Sequence, residues 1–141
     1  MEKITEKRIT VESVIEELDG SGICESSEKC AVNPTATLKC GEEIYEISYS
    51  EDSEGVSVHS VITVSPDSIE VCRRGAIESD FHFAEGHTET SVYKMPPYAF
   101  DAEITTKKIR NNLTRDGGIL TIMYDMEIGG AKKRVRMKIT V

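Results

Sequence analysis

The chain predicts an all-β protein, a single antiparallel β-barrel of about eight to ten strands, mostly up-and-down. Three observations lead there. Leu120, Ile122, Tyr124, Met126 and Ile128 alternate with Thr121, Met123, Asp125 and Glu127 up to Gly129-Gly130. Val135, Met137, Ile139 and Val141 then alternate with Arg134, Arg136, Lys138 and Thr140. Period-two alternation on both sides of a glycine pair is the mark of a β-hairpin with one buried face. Second, short alternating segments recur along the chain with turn residues between them, and none makes a good amphipathic helix. Third, the strand pattern runs to Val141, so the last strand is an exposed edge unless it pairs. Pairing it with the first strand closes a barrel.

Taken in order, the first strand spans residues 7–18, with Ile9, Val11 and Ile15 on one face and Ser13 interrupting that row. Asp19-Gly20-Ser21-Gly22 breaks it. Residues 19–34 read as an irregular loop or insertion, polar and cysteine-containing, with room for a short irregular strand. Further strands are expected over residues 35–40, 44–50, 56–64, 68–73, 76–83, 88–94 and 98–110. Turns fall at Gly41, Asp52-Ser53-Glu54-Gly55, Ser65-Pro66-Asp67, Gly75, Glu85-Gly86 and Pro96-Pro97. Residues 106–113 are compatible with a helix, and equally with a bulge near Lys107-Lys108 in a bent strand. In the terminal hairpin, a two-residue turn at Gly129-Gly130 sets Ile128 opposite Ala131. Tyr124 then faces Val135, Ile122 faces Met137 and Leu120 faces Ile139, while Glu127 faces Lys132 and Asp125 faces Arg134. A slip of one residue would mix the two faces.

A chain of 141 residues fits one domain with a real core, residues 1–141. Seventeen basic against twenty-five acidic residues leave a net charge of −8, which disfavours nucleic acid or anionic membrane as partner. No stretch has the length of a transmembrane span, and Met1-Glu2-Lys3-Ile4-Thr5 lacks an apolar signal-peptide core, so a cytoplasmic location is the default. Cys24, Cys30, Cys40 and Cys72 contain no C-x-x-C pair. A Cys24–Cys30 bridge is conceivable in an oxidising compartment, and reduced thiols fit the cytoplasm.

From Val11-Glu12-Ser13-Val14-Ile15-Glu16 onward the chain resembles the YwiB-like family, bacterial proteins of unknown function. The resemblance rests on Tyr45…Tyr49-Ser50-Glu51, Arg73-Arg74-Gly75-Ala76, Phe83-Ala84-Glu85-Gly86 and Tyr93-Lys94-Met95-Pro96. It continues through Thr106…Ile109…Leu113 and Gly117-Gly118-Ile119-Leu120-Thr121-Ile122-Met123-Tyr124-Asp125, and covers residues 43–141 together with the first strand. It implies a calycin-like antiparallel barrel with a central cavity, and brings no activity, substrate or catalytic residue. The chain departs from the family pattern at residues 20–34, which look like a local insertion, and at Pro97-Tyr98.

Among candidate site residues, Arg73 shares parity with Ile69 and Val71. It either points inward, where a lone charge needs a carboxylate, carbonyls or a bound anion, or sits at the rim. In the second case Gly75 supplies the left-handed position of a three-residue turn and Arg73 pairs with Glu51 or Glu85. Tyr45, Tyr49 and Tyr124 lie on apolar parities, as core residues or as walls of a ligand cavity. His82 falls between Phe81 and Phe83 and faces out if they face in. With His59 and His87 it forms no H-x-H pair, so no metal or cofactor site is expected. Lys132, Arg134, Arg136 and Lys138 form an outer basic stripe, open to RNA or an acidic partner yet half matched by Glu127 and Asp125. No nucleophile elbow or phosphate loop is present, so an enzyme is the least supported reading. Tryptophan is absent, which leaves a lipocalin-type lipid carrier without support. The leading expectation is a non-enzymatic module binding a small molecule or anion at the barrel mouth through Arg73, Tyr49, Tyr124 and Tyr45. The alternative is a filled barrel serving protein interaction or homodimer assembly.

Overall fold

The structure, a computed structural model, describes residues 3–141 apart from the Ser53 side chain. Met1 and Glu2, which open the segment read as lacking a signal core, lie outside it. Its twelve strands fall into two six-stranded antiparallel sheets. The first contains β1 (Lys3–Arg8), β4 (Thr35–Cys40), β5 (Tyr45–Ser53), β6 (Val56–Val64), β7 (Ile69–Gly75) and β8 (Ser79–Phe83), in that order. The second runs β3 (Cys24–Val32), β2 (Thr10–Leu18), β12 (Ala131–Thr140), β11 (Ile119–Ile128), β10 (Tyr98–Asn111) and β9 (Thr88–Met95). Consecutive strands are therefore neighbours from β4 to β8 and from β9 to β12. No helix among the described residues is long and apolar enough to cross a membrane.

The terminal hairpin has the register its alternation predicts: Ile128 pairs with Ala131, Tyr124 with Val135, Ile122 with Met137 and Leu120 with Ile139. Gly129 (φ 57°) and Gly130 (φ 82°) supply the two left-handed positions that a tight hairpin turn demands. The final strand also pairs with the first segment, Thr140 with Thr10 and Val135 with Ile15.

Three expectations are corrected. The predicted first strand is two strands, divided at Ile9, because its halves serve different sheets. β1 pairs with β4, whereas β2 pairs with β12 and β3. Ile9, whose amide donates to the Pro34 carbonyl at 3.0 Å, is where the chain crosses between them. Residues 24–32 form an edge strand and not a loop. All of β3 except Val32 is exposed, so no alternation marks it in the sequence. These two changes raise the count to twelve. Finally, the sheets are not hydrogen-bonded into a closed barrel. β8 and β9 meet through the isolated bridge Glu78–Lys94, whose two backbone bonds are both 2.9 Å. Beyond it the Ser91 hydroxyl reaches the Asp80 carbonyl at 2.7 Å, a side chain spanning a gap that the backbones leave. β8 keeps its full ladder with β7, and its other edge diverges from β9 after the Glu78–Lys94 bridge, so no second backbone ladder forms.

Residues 106–113 settle as strand with a bulge: the β10–β11 register shifts between Thr106 and Lys108. The core lies between the sheets. Across β5–β8 it is built in cross-strand rows, Tyr45–Val64–Ile69–Phe83 and Ile47–Ile62–Val71–Phe81. Leu120, Ile122 and Ile139 face them from the second sheet, all fully buried.

Candidate functional site

One row further toward the open end, the first sheet changes character. The residues paired across β5–β8 are Tyr49, Ser60, Arg73 and Ser79, and all four sit on the inward parity. Tyr49, Ser60 and Ser79 are buried, and Arg73 is half-buried. The Tyr49 hydroxyl bonds with Ser60, whereas the Ser79 hydroxyl, 3% exposed, has no hydrogen-bond partner. Arg73 stays within the β7 ladder, paired with Ser60 and Ser79. Gly75 is not in a tight turn but closes β7 opposite Val58. The rim position is thus overturned: the turn falls after Gly75, so Arg73 keeps its inward parity. Glu85, one of its suggested partners, instead accepts the Ile109 amide at 2.8 Å.

Arg73 lines a cavity of about 440 Å³ between the sheets. The first sheet contributes Arg73 and Phe81. The opposite wall comes from β2 (Ser13, Ile15), β11 (Tyr124, Met126, Ile128) and β12 (Lys133, Val135, Met137). Tyr93 and Met95 from β9 and Phe100 from β10 complete it. Tyr93 stacks on Phe81 with ring centroids 6.3 Å apart, and Phe83 lies 4.6 Å from Tyr124 beneath them. At the mouth, Met95 and Phe100 are 45% and 40% exposed.

The electrostatics of this space are one-sided. Its lining holds two cations, Arg73 and Lys133, and no carboxylate, histidine or thiol, in a chain of net charge −8. Among the described residues neither cationic side chain makes an ion pair or hydrogen bond. Burial pushes the Tyr124 hydroxyl above the usual tyrosine range, with Arg73 opposing and Tyr93 adding to the shift. Tyr49 is raised for the same reason, again against the pull of Arg73. The Arg73 field therefore reaches both hydroxyls.

The four predicted residues separate. Arg73 and Tyr124 line this cavity, and Tyr49 lies buried behind Arg73 on the same row. Tyr45 belongs elsewhere, lining a cleft of about 230 Å³ with Leu38, Leu113, Gly117 and Val141. Sequence reasoning passed over Lys133, whose parity with Val135, Met137 and Ile139 was the available signal. It missed Met95 and Phe100 as well, because nothing local says that the β9–β10 hairpin overhangs the opening.

The remaining candidates are accounted for on the outer surface. Arg134 forms a two-pronged pair with Asp125, 2.9 Å and 3.3 Å, and Arg136 meets Glu16 at 3.1 Å. Two of the four residues of the basic stripe are thus matched by ion pairs, Arg136 among them through the neighbouring strand. His82 faces out toward Glu89 at 3.1 Å, and His59 bonds Ser50 at 2.8 Å. Among the described residues no group of three metal-ligating side chains converges. All four cysteines are free.

Two antiparallel sheets enclosing a cation-lined cavity define a β-protein of the internal-cavity type. The chain belongs to the family described as "Domain of unknown function (DUF1934)", whose model matches residues 9–139. It is 28% identical over 135 residues to the "Uncharacterized beta-barrel protein YwiB" of Bacillus subtilis (strain 168), covering 96% of this chain and 91% of that protein. The crystal structure of the Bacillus subtilis YwiB protein superposes with a TM-score of 0.76 at 23% identity, covering 96% of this chain and 92% of that one. That likeness establishes a shared fold.

Proposed function

We propose that this protein is a non-enzymatic module that binds a small organic molecule bearing an anionic group, between its sheets. The observation that carries the reading is Arg73: a half-buried arginine lining a mostly apolar cavity that holds a second cation, Lys133, and no carboxylate. An uncompensated charge in such a place is costly, and a bound anion removes that cost. The cavity volume falls within the usual range for small-molecule sites. Its lining holds no carboxylate, histidine or thiol to pair with Ser13, Lys133 or the tyrosines as a nucleophile–base set, which favours binding over catalysis. The consecutive strand order around an internal cavity supports a calycin-like description. Four free thiols accord with the cytoplasm, and the net charge of −8 argues against nucleic acid or anionic membrane as partner.

The test uses a fluorescent aryl sulfonate, anilinonaphthalene sulfonate, titrated against the folded protein. Saturable binding, weakened at least tenfold in Arg73→Met, is the expected result, since a hydrogen bond to a charged group contributes about 1.5–3 kcal/mol. Absence of binding, or equal binding by the variant, would overturn the reading. A homodimer is the second reading, favoured by β3, which pairs only with β2 and leaves its outer backbone edge open. Native mass spectrometry reports retained ligand and oligomeric state together.

A further inference from the structure

We infer that the ligand is an amphipathic monoanion held head-in, its acid group at Arg73 and a flexible apolar tail running outward to the mouth. The inference rests on the binding reading above and adds chemical class and orientation to it. Three features of the cavity carry it.

The first is the polar row itself. Arg73 is flanked on its neighbouring strands by Ser60 and Ser79, and the Ser79 hydroxyl is buried without a partner. Of this row only Arg73 lines the cavity, so the acid group is held there by the guanidinium fork, which a carboxylate or similar head meets with two acceptor oxygens.

The second feature is what lies beyond that row. Toward the mouth the lining is Met126, Ile128 and Val135 on one wall, with Met95 and Phe100 overhanging. Three of the five methionines in the chain line this space. Unbranched thioether side chains adapt to a flexible occupant better than to a rigid one. Met95 and Phe100 also present large apolar surface to solvent, which a tail leaving the cavity would cover.

The third feature is Lys133, the other cation, on the opposite wall. A head-out ligand would place its acid there. Two properties favour Arg73. Lysine carries its charge on a flexible stem that reaches water, so it does not require a counter-ion. Arginine presents a fixed planar fork and is more weakly hydrated, so it gains more from a bound acid in a confined space.

The experiment is calorimetric titration with straight-chain carboxylates of short to medium length and with the matching alcohols. Affinity should rise about fourfold per added methylene until the tail reaches the mouth. Each acid should bind at least tenfold more tightly than its alcohol. Arg73→Met should erase the acid–alcohol difference while keeping the gain per methylene, and Lys133→Met should shrink that difference far less than Arg73→Met does. A difference that survives Arg73→Met and disappears in Lys133→Met overturns the orientation. A flat length series in the wild-type protein overturns the amphipathic class without recourse to any variant. If the aryl sulfonate binds through Arg73 and no carboxylate does, the anion reading stands and this inference fails. If neither binds, both fail.

Discussion

The two openings between the sheets differ in charge more than in shape. The smaller cleft, beside β1 and residues 113–117, is bordered by both signs: Lys3, Lys7, Lys39 and Arg115 stand with Glu6, Glu46 and Asp116. Lys7 donates to the Asp116 carbonyl at 3.4 Å, and Lys39 and Arg115 have partners as well. The larger cavity carries two cations and no acid. A cleft that carries acids beside its cations largely satisfies itself and has little left to attract a ligand. One with cations alone keeps a field that an incoming anion can satisfy. Charge accounting, not volume, therefore singles out the Arg73 cavity.

The strongest way to test this contrast is to compare packing beneath the cavity with packing at its mouth. Phe83 is 1% exposed and supports Tyr124, so Phe83→Ala should lower unfolding free energy by about 3–5 kcal/mol in urea denaturation. Phe100→Ala at the mouth should cost about 1 kcal/mol, well below Phe83→Ala, since Phe100 is already 40% exposed. Comparable losses would mean that the mouth is structural.

A smaller effect is expected in the wall of the mixed-charge cleft. Gly117 adopts φ 126°, and an added Cβ would press on the Val141 carbonyl. Gly117→Ala should cost about 1–3 kcal/mol and leave anion binding in the other cavity unchanged. Loss of that binding in a folded variant would show that the two openings are coupled.

Alkaline titration probes the buried hydroxyls. The folded state raises the pKa of Tyr49 and Tyr124, chiefly by burial, above the ordinary value of 10.0. The folded protein then holds protons that the unfolded chain releases, so stability is full below pH 10 and declines as pH rises past it. Tyr124→Phe should flatten part of that decline in unfolding measured against pH. An unchanged slope would count against burial of this hydroxyl.

The smallest differences separate a compensated arginine from an uncompensated one. Arg134, paired with Asp125 on a half-exposed face, should cost about 0.2–1 kcal/mol on Arg134→Ala. Arg73→Met in ligand-free protein should leave stability unchanged or raise it by about 1 kcal/mol, because it removes a charge without a partner. A clear loss in Arg73→Met would reveal a structural partner for the guanidinium and close the ligand argument.

Residue by residue, the legible parts are those where one face is buried. Tyr124 could be placed opposite Val135 because alternation and Gly129-Gly130 both demanded it. The direction of Arg73 stayed open, since parity with Ile69 and Val71 pointed it inward while Gly75 allowed a turn that set it at the rim. β3 was illegible for the complementary reason. With both faces in water, Cys24–Val32 has no pattern to display. Lys133 was overlooked although its parity was on view, because a lysine in an apolar row reads as an interruption until the opposite wall is known.

Alternation and turn chemistry alone thus decide the strands with one buried face and the register of the terminal hairpin. They act over a few residues, and a slip would expose a whole apolar row. Tertiary structure decides the rest: the crossing at Ile9, the gap between β8 and β9, and the meeting of Arg73 with Lys133 across an apolar space. Those depend on how two sheets face one another, and each sheet is assembled from distant parts of the chain. No local pattern encodes the absence of an acid from a cavity whose walls are joined only by folding.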